Sequence, residues 1–211
     1  WSDLGSNWRI AEQYFKPYPV CRWAQPALQA VLNLRSDHRL TSQDVERIEI
    51  VTFHESCRLA TRRPQTTEQA QYSTAFPTAV ALVRGGVTPV DVMEESFGDP
   101  EISRLAEGMM VTESDAFNAA FPARRLARVI LVLKDGRRVD SGPTEAIGDP
   151  EAPLPLSDVA AKFHAYAGAV MMPERVAEIE EAVAALGDAN GTARLFDLVG
   201  GPVGTSGGLA A

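Results

Sequence analysis

The chain has 211 residues, 45% of them hydrophobic and 23% charged, with a formal net charge of -8. That length and balance belong to an ordinary soluble globular protein able to bury a real core, in one domain or one and a half. The acidity, with a pI near 4.9, argues against nucleic acid or an anionic membrane surface as the main partner.

No apolar run is long enough to span a bilayer, and no signal-peptide pattern opens the chain. Cys21 and Cys57 make a weak disulfide case and point to a reducing, cytoplasmic setting. The histidines and cysteines lack metal-ligand spacing, and the scattered glycines form no phosphate loop. Neither a metal nor a cofactor is expected. The chain begins at Trp1 rather than Met, so processing or excision from something longer is expected.

Residues 1–15 form a lead-in rich in aromatics (Trp1, Trp8, Tyr14, Phe15), which suggests packing against something. Phe15 to Leu34 reads FKPYPVCRWAQPALQAVLNL. A rigid Pro17-Tyr18-Pro19 turn follows Lys16, and Pro26 suits the first position of a helix running to about Arg35. Ala27, Ala30, Val31 and Leu34 recur at helical spacing. Cys21 to Gln25 therefore stand just before a helix N-terminus, where N–H groups and the dipole favour an anion. With Lys16 and Arg22 beside it, a small carboxylate is the expected ligand; the alternative is an ordinary Pro-flanked turn.

Thr41 to Asp44 reads as a turn, and the alternating Arg47–Glu55 as a strand. Residues 56–70, with Arg58, Arg62 and Arg63, read as a basic loop, solvated or bordering a site. A helix is expected over Ser73–Arg84, with Phe76, Val80, Val83 and Val87 on one face and Gly85-Gly86 as its stop. Short helices follow over Pro89–Ser96 and Glu101–Glu107, the second with Ile102 and Leu105 inward. Met109–Glu113 reads as a strand. Arg128–Lys134 reads as a strand buried on both faces, turned at Asp135-Gly136 into a partner over Arg137–Ser141. The class is α+β.

A Pro-rich connector, Gly148 to Leu156, precedes a change to helices alone. One is expected from a Ser157 cap to Tyr166. Another begins at Pro173, with Val176, Ile179, Val183 and Leu186 in a stripe and Gly187 as its stop. A last short helix is expected within 190–199, and 200–211 as a flexible tail.

Several of these segments together resemble the C-terminal part of the MmgE/PrpD family, which includes 2-methylcitrate dehydratases, cis-aconitate decarboxylases and an iminodisuccinate epimerase. Leu4-Gly5 through Trp8 and Ile10, then FKPYPVC, look like its lead-in and Lys-x-Tyr-Pro segment. RRPQTTEQAQYSTAFPTAVALVRGG resembles its second signature, and GDPEAPLPLSDVAAKF its late connector. The resemblance implies an α/β lid over 16–147, a connector and returning helices over 148–199, and a large helical domain that should precede Trp1. That domain is expected as a separate chain or a lost part, and the apolar helix stripes imply a homo- or hetero-oligomer.

The resemblance also implies the chemistry: dehydration, decarboxylation or epimerisation of a small polycarboxylate by proton transfer beside a carboxylate. Developing negative charge there needs positioned cations or N–H donors, and a base within hydrogen-bond reach. Lys16 matches the family's motif lysine and takes the role of carboxylate binding or charge stabilisation. Tyr18, Cys21, Arg22, Gln25 and Phe76 are the other implied substrate-binding positions. Cys21 and Gln25 stand where some members carry histidine, and Phe76 where some have tyrosine. Tyr72 or Ser73 then becomes the substitute donor, with the remaining catalytic groups on the helical domain. These replacements leave a second reading open, a non-catalytic binding or regulatory module that kept the lid fold. His54, His164 and Cys57 read as structural or surface residues.

Overall fold

The computed structural model describes residues 2–188 and 191–201. Trp1 and residues 202–211, most of the expected tail, lie outside them. The chain divides into two compact units, Trp1–Pro153 and Leu154–Ala211. No helix among the described residues is long and apolar enough to cross a membrane.

The first unit is α+β. Its first helix, α1 (Gln25–Asp37), buries Ala27, Leu28, Ala30, Val31 and Leu34. A 3-10 turn, Ser42–Asp44, leads into β1 (Val45–Thr52). The Asp44 carboxylate accepts from the Thr41 N–H and hydroxyl, both at 2.8 Å. The backbone bond first, then the hydroxyl, holds its pKa below the usual carboxylate range. β1 alternates as expected, with Ile48, Ile50 and Thr52 buried on one face. It ends before Glu55, because the chain turns into the short α2 (His54–Cys57). A second short helix, α3 (Thr67–Gln71), is capped by the Thr66 hydroxyl and also falls in the expected loop.

Helix α4 (Ala75–Arg84) follows, almost wholly buried, and Gly85 ends it in the left-handed region at φ +80°. Two 3-10 turns, Pro89–Val92 and Glu94–Ser96, replace the single short helix expected there. In α5 (Pro100–Glu107), the Asp99 carboxylate caps the Glu101 and Ile102 N–H groups, and Ile102 and Leu105 point inward. β2 (Met110–Glu113), α6 (Asp115–Ala120), β3 (Leu126–Leu133), β4 (Arg138–Asp140) and β5 (Thr144–Glu145) complete the unit. The sheet order is β2-β1-β3-β4, with β5 pairing the start of β3. β1 and β2 run parallel, and the remaining pairs antiparallel.

The expected burial of β3 on both faces holds only in part: Ala127, Val129, Leu131 and Leu133 are buried on one face, while on the other Leu126 and Val132 are buried, Ile130 is half-buried and Arg128 is exposed. Helices cover one side of this mostly antiparallel sheet, which is a stable arrangement when the other side is largely polar. That other side carries ion pairs around Ile130 and Val132. Arg138 donates to Glu49, and Arg128 to Asp140. Each arginine holds its partner's carboxyl below the usual range.

The second unit is helical: α7 (Leu156–Ala167), α8 (Pro173–Ala184) and α9 (Gly191–Gly200). Pro155, not Ser157, stands at the N-cap of α7; its constrained φ starts the helix one residue before the serine. The expected stripe on α8 divides. Val176 and Ile179 are buried with Ala182, and Val183 is exposed; the helix ends at Ala184, ahead of the expected Gly187 stop, so the exposed Leu186 lies beyond it. Val183 lines an apolar groove of about 420 Å³ with Leu156, Val159, Ala160 and Phe163.

Candidate functional site

The site begins in the Lys16–Cys21 turn, where two prolines within three residues restrict the backbone and remove two N–H donors. Polar bonds from outside the turn fix its course. Gln25, the first residue of α1, is fully buried and donates through Nε2 to the carbonyls of Tyr18 (3.0 Å) and Val20 (3.1 Å). The Cys21 N–H donates to the Gln71 carbonyl at 2.8 Å, which fastens the turn to the end of α3. Tyr72, the next residue, is 55% exposed. Lys16, Tyr18 and Cys21 are half-buried. Burial pushes the Tyr18 phenol pKa up, and its hydroxyl donates to Gln29 Oε1 at 3.4 Å.

The structure thus brings Tyr18, Cys21 and Gln25 together and sets them against the segment that carries Tyr72. It gives other expected residues internal duties. Ser73 is buried; its hydroxyl donates to the Thr61 carbonyl at 2.5 Å and accepts from the Phe76 N–H at 2.9 Å. Phe76 is buried too, edge-on to Phe97 with ring centroids 5.5 Å apart. Arg22 is only 6% exposed and pairs with the Asp149 carboxylate.

The N–H groups ahead of α1 are also engaged. Ala24 N–H donates to the Cys21 carbonyl at 3.0 Å, and Gln25 N–H to the Arg22 carbonyl at 3.3 Å. Pro26 has none to offer. These two donors are used within the tight turn that leads into the helix. Solvent thus reaches Tyr72 and the half-buried residues of the Lys16–Cys21 turn, with Gln25 bonded beneath that turn.

The basic loop turns toward α5. Arg62 Nη1 donates to the Ala106 carbonyl (3.0 Å), the Glu107 carbonyl (3.1 Å) and the Met109 carbonyl, and Arg63 forks onto the Glu107 carboxylate. A cation fits there because α5 ends in open carbonyls and a negative dipole end. These arginines line a cleft of about 500 Å³ with Phe76, Phe97, Ser103 and Glu107. His54 pairs with Glu113 at 2.8 Å and His164 with Glu180 at 2.6 Å, all on the surface. Burial, and then Glu113, raises the Cys57 thiol pKa, which disfavours the reactive thiolate. Among the described residues no three His, Cys, Asp or Glu side chains group to hold a metal.

The family model for the MmgE/PrpD C-terminal domain matches residues 18–188. The chain belongs to the MmgE/PrpD family. A cis-aconitate decarboxylase of Aspergillus terreus is 24% identical over 96% of this chain. One from Aspergillus terreus strain NIH 2624 is 25% identical over the same share. The chain spans 43% of the length of each of these relatives. The MmgE/PrpD match takes in the turn from Tyr18 onward, the Tyr72–Phe76 segment and Asp149, while Lys16 stands two residues ahead of it.

Sequence reasoning missed Gln71 and Asp149. A backbone carbonyl leaves no mark in a side-chain pattern, so nothing singled out Gln71. Asp149 does lie in the Gly-Asp-Pro connector motif, and an arginine next to a buried helix start needs a carboxylate. The sequence holds 28 acidic residues and does not say which of them arrives there.

Proposed function

We propose that this chain is the substrate-closing, C-terminal part of an MmgE/PrpD-type lyase or isomerase acting at a carbon beside a carboxylate. The observation that carries this is the Lys16–Cys21 turn, held by Gln25 and fastened at Cys21 to the segment bearing Tyr72. A lysine on a flexible stem offers a compact point charge to a carboxylate. As charge develops on the substrate, that cation is worth more than it is in water. Tyr72 is the exposed phenol that can donate beside it, and Tyr18 and Cys21 shape the wall. Arg22, Gln25, Ser73 and Phe76 support the site from inside the fold.

In this reading the substrate is a small polycarboxylate of the cis-aconitate kind, consistent with the name of the relatives matched along this chain. The reaction is proton transfer in the course of dehydration, decarboxylation or epimerisation. The base comes from the helical part that the family resemblance implies, joined to this chain or supplied as a separate one. The apolar groove between α7 and α8, with Leu156 82% exposed, supports a covering partner, and hence an oligomer. Two cysteines present as thiols support a cytoplasmic setting.

The competing reading, a binding module without catalysis, draws support from Gln25 and Phe76. Both are core groups, and neither can move a proton at neutral pH. Assay of cis-aconitate turnover separates the two. The chain alone should be inactive. Combined with a helical MmgE/PrpD N-terminal part it should release product, and Lys16→Ala should lower that rate roughly 100-fold, the usual cost of losing one charge-stabilising donor. Turnover by the chain alone overturns the reading, and so does a combined activity indifferent to Lys16→Ala.

A further inference from the structure

The chain enters the α+β unit through residues 14–22 and leaves it through 148–153, and the structure ties these two passages together. The Phe15 N–H donates to the Gly148 carbonyl at 2.9 Å. The Arg22 guanidinium pairs with Asp149 and lies over the Tyr14 ring, 4.9 Å from its centroid. Gly148, at φ +97°, donates to the Ala152 carbonyl at 2.8 Å, and Ala152 to the Asp149 carbonyl at 2.9 Å. A small closed loop thus presents the aspartate. Arg22 Nε and Nη1 have no acceptor among the described residues; Asp149 is the carboxylate that this buried cation pairs with, while Glu145 interacts with it electrostatically without an ion-pair contact.

Lys16 lies inside this arrangement. Downstream, its turn is held by Gln25 and by Cys21. Upstream, hydrophobic burial contributes little, since Tyr14 is 44% and Phe15 55% exposed. The backbone bond at Phe15 and the ion pair with its stacked ring hold that side. Arginine suits the task because one planar group can meet a carboxylate at its edge and an aromatic ring on its face.

We propose that Arg22, Asp149 and Tyr14 form a clamp that closes the two passages on each other and sets the position of Lys16. Arg22 is then a positioning residue, not a substrate contact. The positioning role rests on the reading of Lys16 as the carboxylate contact; the clamp itself does not.

The test is amide hydrogen exchange at Phe15 and in β1 and β3, together with succinate titration, on the whole chain. The variants are Arg22→Gln, Asp149→Asn and the swapped pair Arg22→Asp with Asp149→Arg. Either single change should speed Phe15 exchange by roughly tenfold or more while β1 and β3 stay protected, because the opening is local. Succinate should bind several-fold more weakly, and the swapped pair should recover part of both. Unchanged Phe15 exchange in both single variants overturns the clamp. Phe15 and strand exchange rising in step does so too, since that marks general destabilisation. Local opening with undiminished succinate affinity overturns the positioning role. If the unaltered chain binds no succinate, the Lys16 reading fails and the positioning role with it, while Phe15 exchange still decides whether the clamp exists.

Discussion

Gln25 and Ser73 show how a polar side chain at a candidate site can serve the backbone instead of the substrate. Gln25 is fully buried, and its Nε2 donates to two carbonyls of the Pro-rich turn. That turn has few N–H groups of its own to organise it, so a side-chain amide does the holding. Ser73 bridges the 56–70 segment to the start of α4 through one hydroxyl. Ser73→Ala removes a bond to the Phe76 N–H and leaves the Thr61 carbonyl without its donor. It should cost about 1–2 kcal/mol in urea denaturation, the range for a lost cap or a stranded buried group. Residue types were legible here, but duties were not. The sequence places a glutamine and a serine near the site; only the packing shows that their hydrogen bonds point inward.

Among the elements, β3 separates what a pattern can and cannot say. Its run of apolar residues and the Asp-Gly turn after it marked a strand and a hairpin. The same run concealed which face the helices cover, because Val129, Ile130, Leu131, Val132 and Leu133 are alike in hydropathy. Leu131 is fully buried, while Arg128 lies on the polar face with Asp140. Leu131→Ala should therefore cost roughly 2–5 kcal/mol through lost burial and a cavity. Arg128→Ala should cost under about 1 kcal/mol, as for other solvent-screened surface pairs. Chemical denaturation of the two variants checks the contrast, and equal losses would contradict the one-sided sheet. The short helices α2, α3 and α6 escaped the sequence for a different reason. Each spans only a turn or so, too little for a helical period to declare itself.

For the whole molecule, three motifs in order pointed to the MmgE/PrpD family, and the change from mixed to purely helical composition marked the later helices. The ion pair between Arg22 and Asp149 was beyond reach, since 127 residues separate the partners and nothing local links them. We propose the Lys16–Cys21 turn and Tyr72 as the carboxylate-binding face of this chain. The most direct measurement is an NMR titration of the whole chain with succinate. Amides from Lys16 to Cys21 and at Tyr72 should shift, with weak affinity that salt lowers further. Lys16→Met should abolish most of the response, and Lys134→Met, after β3, should leave it intact. Shifts confined to other parts of the chain, or a response at the turn that survives Lys16→Met, would contradict the claim.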